Sequence, residues 1–131
     1  MSELDINQLM ADIAKDAISF AQTNFQIELD GSPASLSKVD DIIGKVDIDE
    51  VSDEELFTIS YMVGAYVGQI FIAQAGGSWV HHEQTEHEPP QTFVQKGQLT
   101  IAFPGKVYRS LMGTDQQLLC EYYTDLVVQL G

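Results

Sequence analysis

SDEELFTISYMVGAYVGQIFIAQAGG, residues 52–77, carries a helix start, a long charge-free run and a helix stop in one piece. Ser52 stands three residues before Glu55, the spacing of a capping box, and Asp53, Glu54 and Glu55 place negative charge at the positive end of a helix dipole. From Leu56 to His82 there is no Asp, Glu, Lys or Arg, and Gly76-Gly77 supplies a stop. The expected helix, from about 52 to 75, is about 36 Å long at 1.5 Å per residue. A chain of 131 residues has a radius of gyration near ~14 Å, so such a helix crosses the whole domain. It is also long enough to span a bilayer. Against that stand Thr58, Ser60, Gln69 and Gln74, the acidic flank, and the lack of nearby basic residues to set an orientation. The expectation is a helix buried nearly all round inside a domain, with no membrane as partner.

Outward from this helix the patterning changes twice. Upstream, Ile6, Leu9, Met10, Ile13, Ala17, Phe20, Ala21 and Phe25 recur at spacings of three and four, which predicts a long amphipathic helix over 5–25. Residues 27–31 read as a connector. Ser32-Pro33 then opens a second helix, with Ser at the cap, Pro in the first turn, and Leu36, Val39, Ile42 and Ile43 as its buried face. An acidic loop, residues 47–51, leads into the capping box. Downstream, residues 78–82 read as extended. Residues 91–94 and 99–103 flank Gln95-Lys96-Gly97-Gln98 as a hairpin with Gly at its turn, ended by Pro104-Gly105. Val107, Leu111 and Met112 suggest a short helical turn, and a last helix follows residues 113–115. Helices first, then two to three antiparallel strands, then a helix, make an α+β fold of about four helices in one domain spanning 1–131.

Charge excludes several functions. The chain carries 6 Lys plus Arg against 20 Asp plus Glu, a formal net charge of −14. So few cations cannot neutralise a phosphate backbone or hold an anionic lipid surface, which argues against nucleic acid and membrane partners. The negative charge is uneven. Residues 1–55 hold 14 acids against Lys15, Lys38 and Lys45, whereas residues 56–131 hold 6 acids against Lys96, Lys106 and Arg109. Such a face steers a basic partner protein, and it equally serves to keep a chain soluble. Cys120 is the one cysteine, so no intramolecular disulfide forms, and no basic-apolar leader pattern is present. Cytoplasmic residence is the expectation.

Three constellations bear on chemistry. His81, His82 and His87 cluster in HHEQTEHE, residues 81–88, and offer imidazole and carboxylate to a metal. Their spacing misses the helical H-E-x-x-H pattern by one residue, and Pro89-Pro90 favour a polar loop. Asp47, Asp49, Asp53 and Glu55 superficially resemble a calcium loop, but Val51, Ser52 and Thr58 stand at positions that need a ligand, a Gly and a Glu. Gly64 and Gly68, four residues apart in a helix interior, each cost about 0.5–1 kcal/mol relative to Ala and so imply a close approach at their shared face. Packing against another element explains them. The rival is a small-ligand groove formed by Tyr61, Gly64, Tyr66 and Gly68 with Trp79. No G-x-S-x-G elbow occurs, and Cys120 sits in an apolar pattern without a basic neighbour. No cofactor is expected.

Ser35-Leu36 with Val39-Asp40 and Ile42-Ile43, Gly64-Ala65-Tyr66-Val67-Gly68, Gly76-Gly77-Ser78-Trp79, and Pro104 with Lys106-Val107 follow in order. This order resembles that of a group of small uncharacterised bacterial proteins sharing S-L-x-x-V-D-x-I-I, G-A-Y-x-G, G-G-x-W and P-x-K-V, over about residues 32–112. The resemblance implies a bacterial source and a compact domain, with no activity attached. Such sequences commonly carry Glu where this chain has Gln69, so a carboxylate role there does not transfer.

The reading that best fits the sequence is a non-enzymatic acidic interaction or inhibitory protein, immunity-like, that meets a basic protein through Asp40, Asp41, Asp47, Asp49 and Glu50. The alternatives are the small-ligand module just described and a metal-dependent hydrolase built on the three histidines.

Overall fold

A computed structural model describes residues 5–82 and 91–130. In chain order these form α1 (Ile6–Phe25), a 3-10 turn (Pro33–Ser35), α2 (Leu36–Lys45), α3 (Asp53–Ala75), β1 (Ser78–His82), β2 (Gln91–Lys96), β3 (Leu99–Ile101), α4 (Phe103–Met112) and α5 (Leu119–Leu130). The fold is α+β. Helix α3 is its axis: α1 and α4 pack along it, and the three-stranded antiparallel sheet, in the order β1-β2-β3, lies beside it, with Trp79 and Val94 at Gly68 and Thr92 at Tyr61.

Local chemistry sets the bounds of α3. The Ser52 hydroxyl accepts from Glu55 N at 3.1 Å while the Glu55 carboxylate accepts from Ser52 N at 3.1 Å, completing the capping box. At the far end Gly76 takes φ +88°, a backbone that side chains disfavour, and turns the chain into β1. Between them Leu56, Ile59, Val63, Ala65, Tyr66, Val67, Ile70 and Phe71 are buried in one core with Met10, Leu36, Ile42, Trp79, Val94, Phe103 and Leu119. By length and apolar content α3 also passes as a membrane span, but 61% of its most apolar window is buried against the rest of the domain.

The expected glycine face is a packing face. A methyl added at Gly64 would stand 2.5 Å from Pro104 Cα, and one at Gly68 would clash with Trp79 Cη2 and Cζ2. The bare helix surface therefore receives the first turn of α4 at one glycine and the indole at the next. The indole is fixed by its Nε1–H donating to Gln69 Oε1 at 2.8 Å, and Trp79 N donates to Asn7 Oδ1 of α1 at 2.8 Å. Register follows, with Trp79 opposite Val94 and Val94 opposite Ile101, all three buried.

Several bounds differ from the sequence reading. Pro104-Gly105 do not close the hairpin; they lie in the first turn of α4, where a missing N–H costs no helical bond. The short turn expected around Val107 is thus a ten-residue helix, making five helices among the described residues. The hairpin turn is the pair Gly97-Gln98, with Gly97 at φ +59°. Helix α2 is preceded by the 3-10 turn, and the Ser32 hydroxyl donates to Asp30 Oδ1 at 2.6 Å instead of capping the helix.

Candidate functional site

Where α1 crosses the N-terminal half of α3, the two helices leave an open groove of about 310 Å³ lined by Ile13, Asp16, Phe57, Thr58, Tyr61 and Met62. Its walls alternate by helical spacing: Ile13 and Asp16 are three apart on α1, and Phe57, Tyr61 and Met62 follow at four and five on α3. Phe57 is the most exposed of these apolar groups at 57%, although its ring stacks on Tyr108 of α4 with centroids 5.2 Å apart and planes at 17°. A large aromatic stacked on a neighbour yet left in water is the sort of anchor that interfaces use. The mouth is acidic. Asp16 lines it, Asp12 lies one turn before Asp16 on α1, and Asp53 and Glu54 lie one turn before Phe57 and Thr58 on α3, all exposed. No Lys or Arg is among the lining residues.

At the groove's inner edge a polar relay runs to the sheet. Tyr61 Oη and Thr92 Oγ1 are 2.8 Å apart, and Thr92 Oγ1 is 2.9 Å from His81 Nδ1. Thr92 is buried, with a second group on each side of its hydroxyl, so its polar atom is satisfied. His81 and Thr92 face each other across the β1–β2 ladder, which is why strand pairing brings a tyrosine and a histidine from different sequence motifs to one hydroxyl. Thr92, Phe57, Met62, Ile13 and Asp16 escape a reading of the sequence as site residues, because their proximity depends on how α1 crosses α3 and on β-register.

The other groups singled out in the sequence disperse. Of Tyr61, Gly64, Tyr66, Gly68 and Trp79, Tyr61 lines the groove. Gly64 and Gly68 are covered by Pro104 and Trp79, and Trp79 itself is buried. Tyr66 points toward the segment before α2, where its hydroxyl accepts from Gly31 N at 2.8 Å and shares a 2.6 Å bond with Ser35 Oγ. These five residues do not enclose one ligand space. For the histidines, His81 is exposed on β1, while the side chain of His82 and all of His87 lie outside the described residues. Among the described residues no group of three His, Cys, Asp or Glu side chains is placed to hold a metal ion.

The acidic set divides as well. Asp40 turns inward from α2 and caps α5, accepting from Leu119 N at 2.6 Å and Cys120 N at 3.0 Å. Burial raises the Cys120 thiol pKa above its usual value, and the neighbouring Asp40 carboxylate adds to the rise. Asp41, Asp47, Asp49 and Glu50 are exposed. On the opposite end of the charge scale, Lys106 of α4 is fully buried and fully partnered. It donates to Gln117 O at 2.7 Å, pairs with Asp115 at 2.9 Å and lies 5.2 Å from the Tyr122 ring centre. The hydrogen bond from Lys106 and then the one from Gln117 N hold the Asp115 carboxyl below its usual pKa. Lys106 thereby ties α4 to the segment entering α5 rather than facing a ligand.

No family model, curated protein or solved structure matches the chain.

Proposed function

We propose that the protein is a non-enzymatic interaction protein, inhibitory in kind, whose acidic N-terminal half docks a basic protein partner. The observation that carries this reading is the state of its carboxylates. Asp41, Asp47, Asp49, Glu50, Asp53, Glu54 and Glu55 are exposed, and among the described residues none has a Lys or Arg within 4.0 Å. In the same half Lys15 reaches Asp12 at 4.0 Å, with both side chains largely in water, a pair worth little. Negative charge left unneutralised raises the encounter rate with a cationic surface and repels acidic ones. Screening acts over about 8 Å at physiological salt, so the field works at docking range.

The test is affinity capture from lysate of the source organism at roughly 50 and 500 mM salt, a range over which the Debye length falls several-fold. Parent protein runs beside a variant with Asp16→Asn, Asp41→Asn, Asp47→Asn, Asp49→Asn, Glu50→Gln and Glu54→Gln combined, which removes exposed charge across the whole acidic half. The reading expects a basic protein held by the parent at low salt, released at high salt, and lost from the variant. A partner held equally by parent and variant, or indifferent to salt, sinks it.

A further inference from the structure

We infer that the groove between α1 and α3 is the docking site for one amphipathic, lysine- or arginine-rich helix of the partner. The inference rests on the acidic-docking reading and assigns it a place and a recognition mode.

Four features converge on that occupant. The floor is apolar, with Ile13, Phe57 and Met62, and Phe57 stands more than half exposed, so burying it rewards an apolar anchor. The rim is acidic at Asp16, with Asp53 and Glu54 one helical turn before Phe57 and Thr58, and whereas Lys15 reaches Asp12, none of these three has a Lys or Arg within 4.0 Å among the described residues, so residues flanking that anchor must be cationic. The walls are both helices, whose mid-helix backbone groups are already bonded within α1 and α3. An extended peptide would find no ladder to join there, whereas a helix brings its own backbone satisfied and lays side chains at i, i+3, i+4 and i+7 into the trough. Finally, a second copy of this chain carries the same −14 charge and is repelled from an acid-rimmed groove. Phosphate-bearing surfaces are repelled for the same reason.

The groove also fits the mode in scale. From Phe57 to Met62 the α3 wall rises about 7.5 Å, and the Phe57–Tyr108 stack extends the apolar surface toward α4. Two to three turns of an incoming helix cover it, with its anchor against Phe57 and its basic flank over Asp16 and Glu54.

The test uses the full chain and two fluorescein-labelled peptides of about 16 residues, a length that reaches beyond the groove at both ends. One arranges Leu at helical spacing among Lys residues, and the other has the same composition scrambled so that no apolar face forms. Fluorescence anisotropy at roughly 50 mM salt reads affinity for the parent, Phe57→Ala, Asp16→Lys, and the loop variant Asp47→Asn with Asp49→Asn. Phe57 and Asp16 lie at the surface, and circular dichroism checks that each variant folds. The inference expects the amphipathic peptide to bind at least about tenfold tighter than the scrambled one. It expects Phe57→Ala and Asp16→Lys each to weaken binding about tenfold, and the loop variant to change it less than about threefold. Equal binding of both peptides, indifferent to Phe57→Ala but weakened in the loop variant, overturns the groove while leaving the acidic-docking reading in place. No binding of either peptide at low salt overturns both. A dimer on gel filtration that Phe57→Ala dissociates gives the groove to a second copy and likewise overturns the inference.

Discussion

A single methyl group at residue 68 tests the packing account. In Gly68→Ala the added carbon clashes with Trp79 Cη2 and Cζ2 and stands 3.3 Å from Val94 Cγ2. Trp79 has little room to retreat, since its indole N–H is held by Gln69 and its backbone N–H by Asn7. Overpacking of this kind costs about 1–3 kcal/mol. Moving the indole also weakens its hydrogen bond, worth about 1 kcal/mol. Against this, Ala gains about 1 kcal/mol over Gly in a helix interior. The net is a loss of about 2 kcal/mol. For 131 residues the unfolding entropy is about 0.28 kcal/mol per kelvin, so the melting temperature should fall by about 7 °C. Trp79 is the single tryptophan, so urea unfolding followed by its fluorescence reports the site directly. Gly44→Ala is the control. It lies in α2 with nothing within 4 Å of the added carbon, and should stabilise by about 0.5–1 kcal/mol. A Gly68→Ala protein as stable as its parent would mean that the indole does not pack against the bare helix at Gly68.

The α5 cap, the Lys106–Asp115 pair and the net charge each give a further expected outcome. Asp40→Ala strips the cap from α5 and should cost about 1–2 kcal/mol in urea unfolding; a change below about 0.3 kcal/mol would mean α5 starts without it. Because the folded Asp115 carboxyl titrates below its unfolded counterpart, its contribution is complete above the unfolded value and is lost as pH falls through the folded one. Asp115→Ala should therefore flatten the acid limb of a plot of melting temperature against pH, and an unchanged limb contradicts the pairing with Lys106. The −14 charge repels itself, so added sodium chloride up to about 0.3 M should raise the melting temperature. A flat or falling response would show that the carboxylates are already compensated.

The helical core was legible from local pattern because its signals are local. Ser52 and Glu55 lie three residues apart, and the charge-free run after them leaves little but a buried helix. The α1 stripe and the Gly97 turn read the same way. The ten-residue α4 was hidden because Pro104-Gly105 punctuate equally well as a hairpin end or a helix start. The groove was less legible still. Tyr61 meets Thr92 across 31 positions and Asp40 reaches Leu119 across 79, distances over which composition carries no register. Asp40 counted as surface charge in the sequence, yet its carboxylate is consumed inside the fold. Lys106, one of six cations, proved to be buried and paired with Asp115, so a count from the sequence overstates the positive charge at the surface.

A nitrogen-15 correlation spectrum of the full chain, titrated with the amphipathic lysine–leucine peptide, locates the docking surface residue by residue. Docking in the acid-rimmed groove predicts the largest shifts at Ile13, Asp16, Phe57, Tyr61 and Met62, with smaller ones fading along α1 and α3. Shifts concentrated at Asp41, Asp47, Asp49 and Glu50, with Phe57 and Tyr61 unmoved, would contradict it.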